Sequence, residues 1–273
     1  MILDCHIHLF GKEDNKEEFL KRVGQCDIDG GVLISIPPRD FGGLEPGMPG
    51  AKKRVEHLMQ WAEVGENFYP FFWIDPTEPD ALEQVEFAIS KGVKGFKVIC
   101  FDFYPGDERA MPVYTAIAKH NKPILFHSGI LWDIGPSAMY NHPGGWENLM
   151  GIEGLRFALA HISWPWCDEC LAVYGKLENA TRRGAFKGEM FIDISPGTPP
   201  IYRRDALTKI FTIGYNVTDN VLFGVDTVAG NYDVGRALGI LERDSKIYSD
   251  ICLSEETLAK IYSLNLRRFI EGH

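Results

Sequence analysis

Two histidines two residues apart, His6 and His8, close the segment Asp4-Cys5-His6-Ile7-His8. In an extended strand both imidazoles fall on one face, with Ile7 on the other. Two imidazoles converging from one strand suit a divalent ion such as zinc. A site of that kind needs further ligands from elsewhere in the chain. His127 ends the apolar run Pro123–His127, His161 ends Phe157–Ile162, and Asp226 follows Val221–Val225. Each alone has an ordinary explanation. A lone histidine is a common polar residue at a strand end, and Asp226 could cap a following helix. Together they put five donors at the ends of four predicted strands, which packing alone does not readily produce. His127 and Asp226 are the candidates for third and fourth ligand. Lys97, inside the apolar run Gly95-Phe96-Lys97-Val98-Ile99-Cys100, is a further anomaly, because an ammonium is costly to bury without a partner.

The elements that must position these groups show a rhythm. Apolar runs begin at Ile2, Gly31, Tyr69, Gly95, Pro123, Phe157, Met190 and Val221. They recur at roughly the 30-residue spacing of a βα unit. Each run is nearly continuous rather than alternating, as in parallel strands covered on both faces. The intervening segments read as helices, among them 15–26, 79–90 and a closing helix at 254–270 with Ser254 as its cap. Eight such units predict an α/β fold, a single-domain (β/α)₈ barrel over residues 1–273. A doubly wound open sheet is the rival. Gly42-Gly43 follows the second run, but the glycine-rich turn usual in that fold is missing.

The long Gly-, Pro- and aromatic-rich stretches 37–50, 101–111, 129–151 and 195–200 all follow predicted strands, hence the rim where barrel enzymes build their sites. Tyr104 and Arg109 in the fourth loop, Trp132 in the fifth and Trp164 and Trp166 in the sixth are candidate substrate contacts. Arginine forks a carboxylate or phosphate, and the aromatics could wall an apolar pocket. His142 is placed at the site in the fifth loop, and His57 and His120 on helix faces. Cys167-Asp168-Glu169-Cys170 reads as two helix-borne thiols one turn apart, since no second ligand pair accompanies it.

The 273 residues carry a net charge of −10 with no basic block, which argues against nucleic acid as a partner. No apolar run approaches the ~20 residues of a membrane helix. The absence of a signal-like N-terminal segment, and Cys5, Cys26, Cys100 and Cys252 in apolar or element-like surroundings where buried thiols are common, predict a cytoplasmic chain with reduced thiols. The expected partner is a small-molecule substrate, and self-association into a homo-oligomer stays open.

Asp4-Cys5-His6-Ile7-His8, Phe126-His127-Ser128-Gly129, Ala160-His161, Phe223-Gly224-Val225-Asp226-Thr227 and the closing Leu258–Phe269 stretch, in that order, resemble the amidohydrolase superfamily. The likeness is greatest to its amidohydrolase-related branch of hydrolases and non-oxidative decarboxylases. It implies that His6, His8, His127 and Asp226 are metal ligands or lie beside them, and that His161 orients substrate or stabilises developing charge. It further implies a divalent ion, zinc first and manganese next, whose bound water is the nucleophile. Asp226 could accept that water's proton and pass it to the leaving group.

Lys97 has three open readings. It binds a substrate carboxylate, it forms the carbamate that bridges two metals in some members of the superfamily, or it makes a structural ion pair with Asp193 or Asp75. One ion is expected, or two if Lys97 is carbamylated. The leading function is hydrolysis of an acyl C–N or C–O bond. The alternatives are a metal-dependent non-oxidative decarboxylase of a small, aromatic or other carboxylic acid, and a metal-free, non-catalytic barrel.

Overall fold

The computed structural model describes residues 1–12, 15–40, 49–132 and 135–272. Gly42-Gly43 lies outside them. The order is β1 (Leu3–His8), α1 (Lys16–Gly24), β2 (Gly30–Ile34), α2 (Ala51–Ala62), β3 (Phe68–Trp73), α3 (Ala81–Ser90), β4 (Gly95–Val98) and α4 (Met111–Lys119). There follow β5 (Ile124–Phe126), β6 (Arg156–Leu159), α5 (Cys167–Arg182), β7 (Glu189–Asp193), α6 (Pro200–Thr212), β8 (Val221–Leu222), β9 (Thr227–Val228), α7 (Val234–Asp250), α8 (Glu255–Ala259) and α9 (Asn265–Glu271).

The sheet is parallel throughout, in the order β8-β7-β6-β5-β4-β3-β2-β1-β9. β8 and β9 are two pieces of the eighth strand, separated by four residues. β8 pairs with β7 and β9 with β1, and the Cys5 N–H donates to the Phe223 carbonyl at 2.9 Å across the seam. This is a (β/α)₈ barrel, as the spacing of the apolar runs predicts.

Two packed layers follow from the alternation of strand side chains. Inward-facing Leu3, Val32, Phe71, Leu125, Phe191 and Leu222 fill the barrel, while Ile7, Leu33, Phe72, Phe96, Phe126 and Ile192 pack outward against the helices. The bottom is plugged by α9. Its Phe269 sits 4.9 Å from Phe191 and 6.2 Å from Phe71, ring to ring. The closing helix starts at its expected cap, with the Ser254 hydroxyl accepting from the Thr257 N–H. It is then interrupted by a π turn at Lys260–Leu264. The wider turn slips the apolar register, and Leu264 is left 52% exposed.

All six cysteines are unpaired. Cys167 and Cys170 are buried one turn apart on α5, as expected, whereas Cys252 is exposed in a left-handed turn just beyond α7 rather than buried.

Helices α6 and α7 are joined by an internal ion pair. Arg203 and Asp244, 2% and 0% exposed, make a two-pronged contact at 3.1 and 2.5 Å. Removing one partner strands the other charge without solvent. Asp244→Ala is therefore expected to cost about 3–5 kcal/mol, read as the shift of a chemical denaturation curve. A loss below about 1 kcal/mol, the range of exposed pairs, would contradict this.

Candidate active site

β1 is bulged. Its register against β2 slips between Asp4 and Ile7. The extra residue lets Cys5 face the barrel interior while His6 and His8, on the opposite parity, also turn inward. The bulge would leave the His6 N–H without a ladder partner. Asp4 takes it on Oδ1 at 2.9 Å, together with the Val225 N–H at 2.9 Å, and its Oδ2 accepts from the Tyr232 hydroxyl. One buried carboxylate thus ties the strand carrying the histidines to the segment carrying Asp226.

The remaining groups come from four other strand ends. Lys97 points inward from β4, and His127 immediately follows β5. The sixth strand stops sooner than the sequence suggests, at Leu159, and the eighth breaks after Leu222 before resuming as β9. His161 therefore lies beyond β6, and Asp226 in the break between β8 and β9, both in left-handed conformations, at φ 62° and 55°. Ile162 and Ser163 share that conformation. Each such residue costs of order 1–3 kcal/mol and persists where surrounding structure dictates it. Here it turns His161 into the barrel mouth.

The groups meet around a cavity of about 250 Å³ at the C-terminal end of the barrel, lined by His6, His8, Lys97, His127, His161 and Asp226 with apolar walls that include Trp73, Trp132 and Trp164. A larger groove of about 550 Å³ lies near α5 and α9, but its cations already have partners: Lys260 with Asp219 and Glu256, and Arg268 with Glu189.

Within the cavity, Asp226 Oδ1 is 3.7 Å from His6 Nε2 and 3.6 Å from His8 Nε2, and the two nitrogens are 3.1 Å apart. Among the described residues these three form the group whose donor atoms could share one ion. His127 stands outside it, its ring 5.0 Å from that of His161. Its buried Nε2 has no hydrogen-bond partner, since the ring's contact with the Ile130 backbone uses the other nitrogen.

Behind His6, Asp193 Oδ2 accepts from Nδ1 at 2.8 Å. The donated proton occupies Nδ1, so Nε2 carries a lone pair toward the cavity. This carboxylate–imidazole arrangement is the usual second support of a metal-binding histidine. The donor set fits a divalent ion: two imidazole nitrogens and a carboxylate converge, and a third imidazole nearby has an unpartnered Nε2.

Burial dominates the electrostatics. It pulls His8 and His127 well below the ordinary histidine range and His161 down to about 4, so these rings are neutral at pH 7. It also lowers Lys97 to about 8, against the pull of Asp193 and Asp226. Burial pushes the Asp193 and Asp226 carboxyls up, but His6 and His161 outweigh it and hold both below the usual carboxylate range.

The structural ion pair, one of the three readings of Lys97, is not formed with Asp193 or Asp75. Asp75 binds Arg39 at 2.5 Å, Asp193 is engaged by His6, and Lys97 Nζ instead lies 3.4 Å from His6 Nε2. Among rim residues, Trp132 and Trp164 line the cavity, whereas Arg109 and Tyr104 do not. Arg109 is gripped by Asp107 of its own loop through Nε at 2.9 Å and Nη2 at 2.7 Å, and Tyr104 meets Tyr140 edge to face. Trp166 and His142 pack against each other away from the lining, and His142 Nδ1 accepts from the Gly144 N–H. His57 is on α2 and His120 follows α4, where it meets Glu86 at 2.8 Å.

Two residues were not singled out as parts of the site by their place in sequence: Asp193 as the support of His6, and Ser195, fully buried between His6 and His161. The signal for Asp193 was available, an acid in the apolar run Met190–Ile194. Asp193→Asn is expected to weaken metal binding about 10–100-fold, measured by competition with a chelator. An affinity within twofold of the parent would contradict the support role.

The amidohydrolase sequence profile matches residues 3–271. The chain belongs to the amidohydrolase family. Membership supports an enzyme of the hydrolase or related type, in a family that is generally metal-dependent. No curated protein matches this amidohydrolase in sequence. Its fold is shared by a Staphylococcus aureus protein assigned as an amidohydrolase, 16% identical, with 98% of this chain and 99% of that one aligned at a TM-score of 0.65. Dihydroorotase from Campylobacter jejuni is 19% identical over 97% of this chain and 81% of its own, TM-score 0.59. Amidohydrolase 2 from Bifidobacterium longum subsp. infantis is 12% identical over 98% of both, TM-score 0.57. No helix among the described residues is long and apolar enough to cross a membrane.

Proposed function

We propose that this amidohydrolase hydrolyses an acyl C–N or C–O bond of a small organic substrate with the help of one divalent ion. The observation that carries the reading is the convergence of Asp226 on the Nε2 atoms of both His6 and His8. His6, His8 and Asp226 would hold the ion, with His127 nearby. Bound there, zinc, or manganese next, would polarise a carbonyl and lower the pKa of water.

The chain's own residues supply the rest. Asp226, ionised and partly exposed to the cavity, accepts a proton from water and returns it to the leaving group. Neutral His161 faces the position of the carbonyl oxygen. Lys97, as an ammonium, attracts a substrate carboxylate. A cavity of about 250 Å³ with tryptophans in its walls favours a small, flat substrate. Six unpaired cysteines support a reducing, cytoplasmic setting.

The test is a product assay of the metal-loaded enzyme on small lactones, cyclic amides and aromatic carboxylic acids. Ring-opened acids from the lactones or amides are expected. Carbon dioxide from the carboxylic acids, with the acyl compounds untouched, would replace hydrolysis with decarboxylation. No turnover and no bound metal would leave a non-catalytic barrel.

A further inference from the structure

We infer that Ser195 is a positioning residue that fixes the His161 ring in its Nε2–H tautomer, so that His161 presents a proton donor to the reacting oxygen. The argument runs through hydrogen-bond direction. An ionised carboxylate only accepts, so the contact of His6 Nδ1 with Asp193 Oδ2 at 2.8 Å places the proton on His6 Nδ1. The Ser195 hydroxyl lies 3.2 Å from that same Nδ1 and cannot donate to a nitrogen that already carries a proton. Its hydrogen is left for His161 Nδ1, 3.0 Å away. A neutral His161 whose Nδ1 accepts must carry its proton on Nε2.

Two features hold this relay. Ser195 is fully buried, and its own N–H donates to Asp193 Oδ1 at 2.6 Å, so the hydroxyl is anchored to the carboxylate that orients His6. Gly197 leaves the space that the His161 ring needs, because a Cβ there would stand 2.8 Å from His161 Cβ. Asp193, Ser195 and His161 then form a chain of oriented dipoles ending at the cavity, independent of whether an ion is bound.

The catalytic consequence rests on the hydrolase reading, but the tautomer does not. An Nε2–H aimed at a developing oxyanion lowers the barrier, whereas the other tautomer would aim a lone pair at it. Losing one such donor costs of order 10²–10³ in kcat, and Ser195→Ala is expected to approach that loss with little change in KM.

The deciding experiment is ¹⁵N NMR of the full-length protein labelled at histidine, with the His161 signals assigned by their disappearance in His161→Gln. Wild type is expected to show a protonated Nε2 and an unprotonated Nδ1 at His161, and Ser195→Ala a mixed or reversed pattern. Protonated Nδ1 in the wild type, or an unchanged pattern in Ser195→Ala, would overturn the inference. The wild-type spectrum alone decides if the variant does not fold. A correct tautomer in an enzyme that hydrolyses nothing would count against the hydrolase reading and not against Ser195.

Discussion

Asp226→Asn is expected to lower kcat by 10²–10⁴-fold, the range that a positioned general acid or base supplies, while leaving a folded protein. The amide keeps the size of the carboxylate but loses the negative charge that faces His6, His8 and Lys97. It cannot take a proton from water near neutral pH, so both halves of the proposed proton transfer fail together. The fold should tolerate the change, because the Asp226 carboxylate is partly exposed and the segment around it is held by others. Asp4 accepts from the Val225 N–H, and Arg236 Nε donates to the Val225 carbonyl at 3.1 Å. Steady-state kinetics with a circular dichroism control reads the outcome. A kcat within tenfold of the parent would remove Asp226 from the chemistry.

The His6→Ala/His8→Ala double variant is expected to bind no divalent ion at the cavity and to lose turnover entirely. The single Asp193→Asn change leaves the ligands in place and weakens them. The double change removes two of the three donor atoms that meet. The loss should also appear in stability. A ligand at a thousand times its Kd stabilises the native state by about 4 kcal/mol, which corresponds to roughly 10 °C in Tm for a chain of this size. Saturating zinc should raise the melting temperature of the parent by such an amount and leave the double variant unmoved. Equal shifts in both would locate the stabilising ion elsewhere.

Much of this architecture is legible in the chain because its causes are local. Continuous apolar runs at βα spacing specify parallel strands buried on both faces, and all eight appear in the barrel. Lys97 and His8 stand out in sequence because a polar group interrupts such a run, and both line the cavity. What period-two alternation could not reveal is backbone that departs from the strand. The bulge after Asp4 turns Cys5 inward together with His6 and His8, and the left-handed turns take His161 off the end of β6 and Asp226 into the break between β8 and β9. Partner choice was also hidden. Arg109 reads as a free fork for a substrate anion until Asp107, two residues before it, closes on it. Ser195 carries no local anomaly at all. Its meaning depends on His6 and His161, which lie 189 and 34 residues away.

The most direct test is an anomalous-difference map from crystals of the purified protein recorded across the zinc edge, with elemental analysis of the same sample. The account predicts one peak per chain among His6 Nε2, His8 Nε2 and Asp226 Oδ1, with His127 beside it. Saturating metal with no peak between those three side chains, or a peak bound only by other residues, would contradict it.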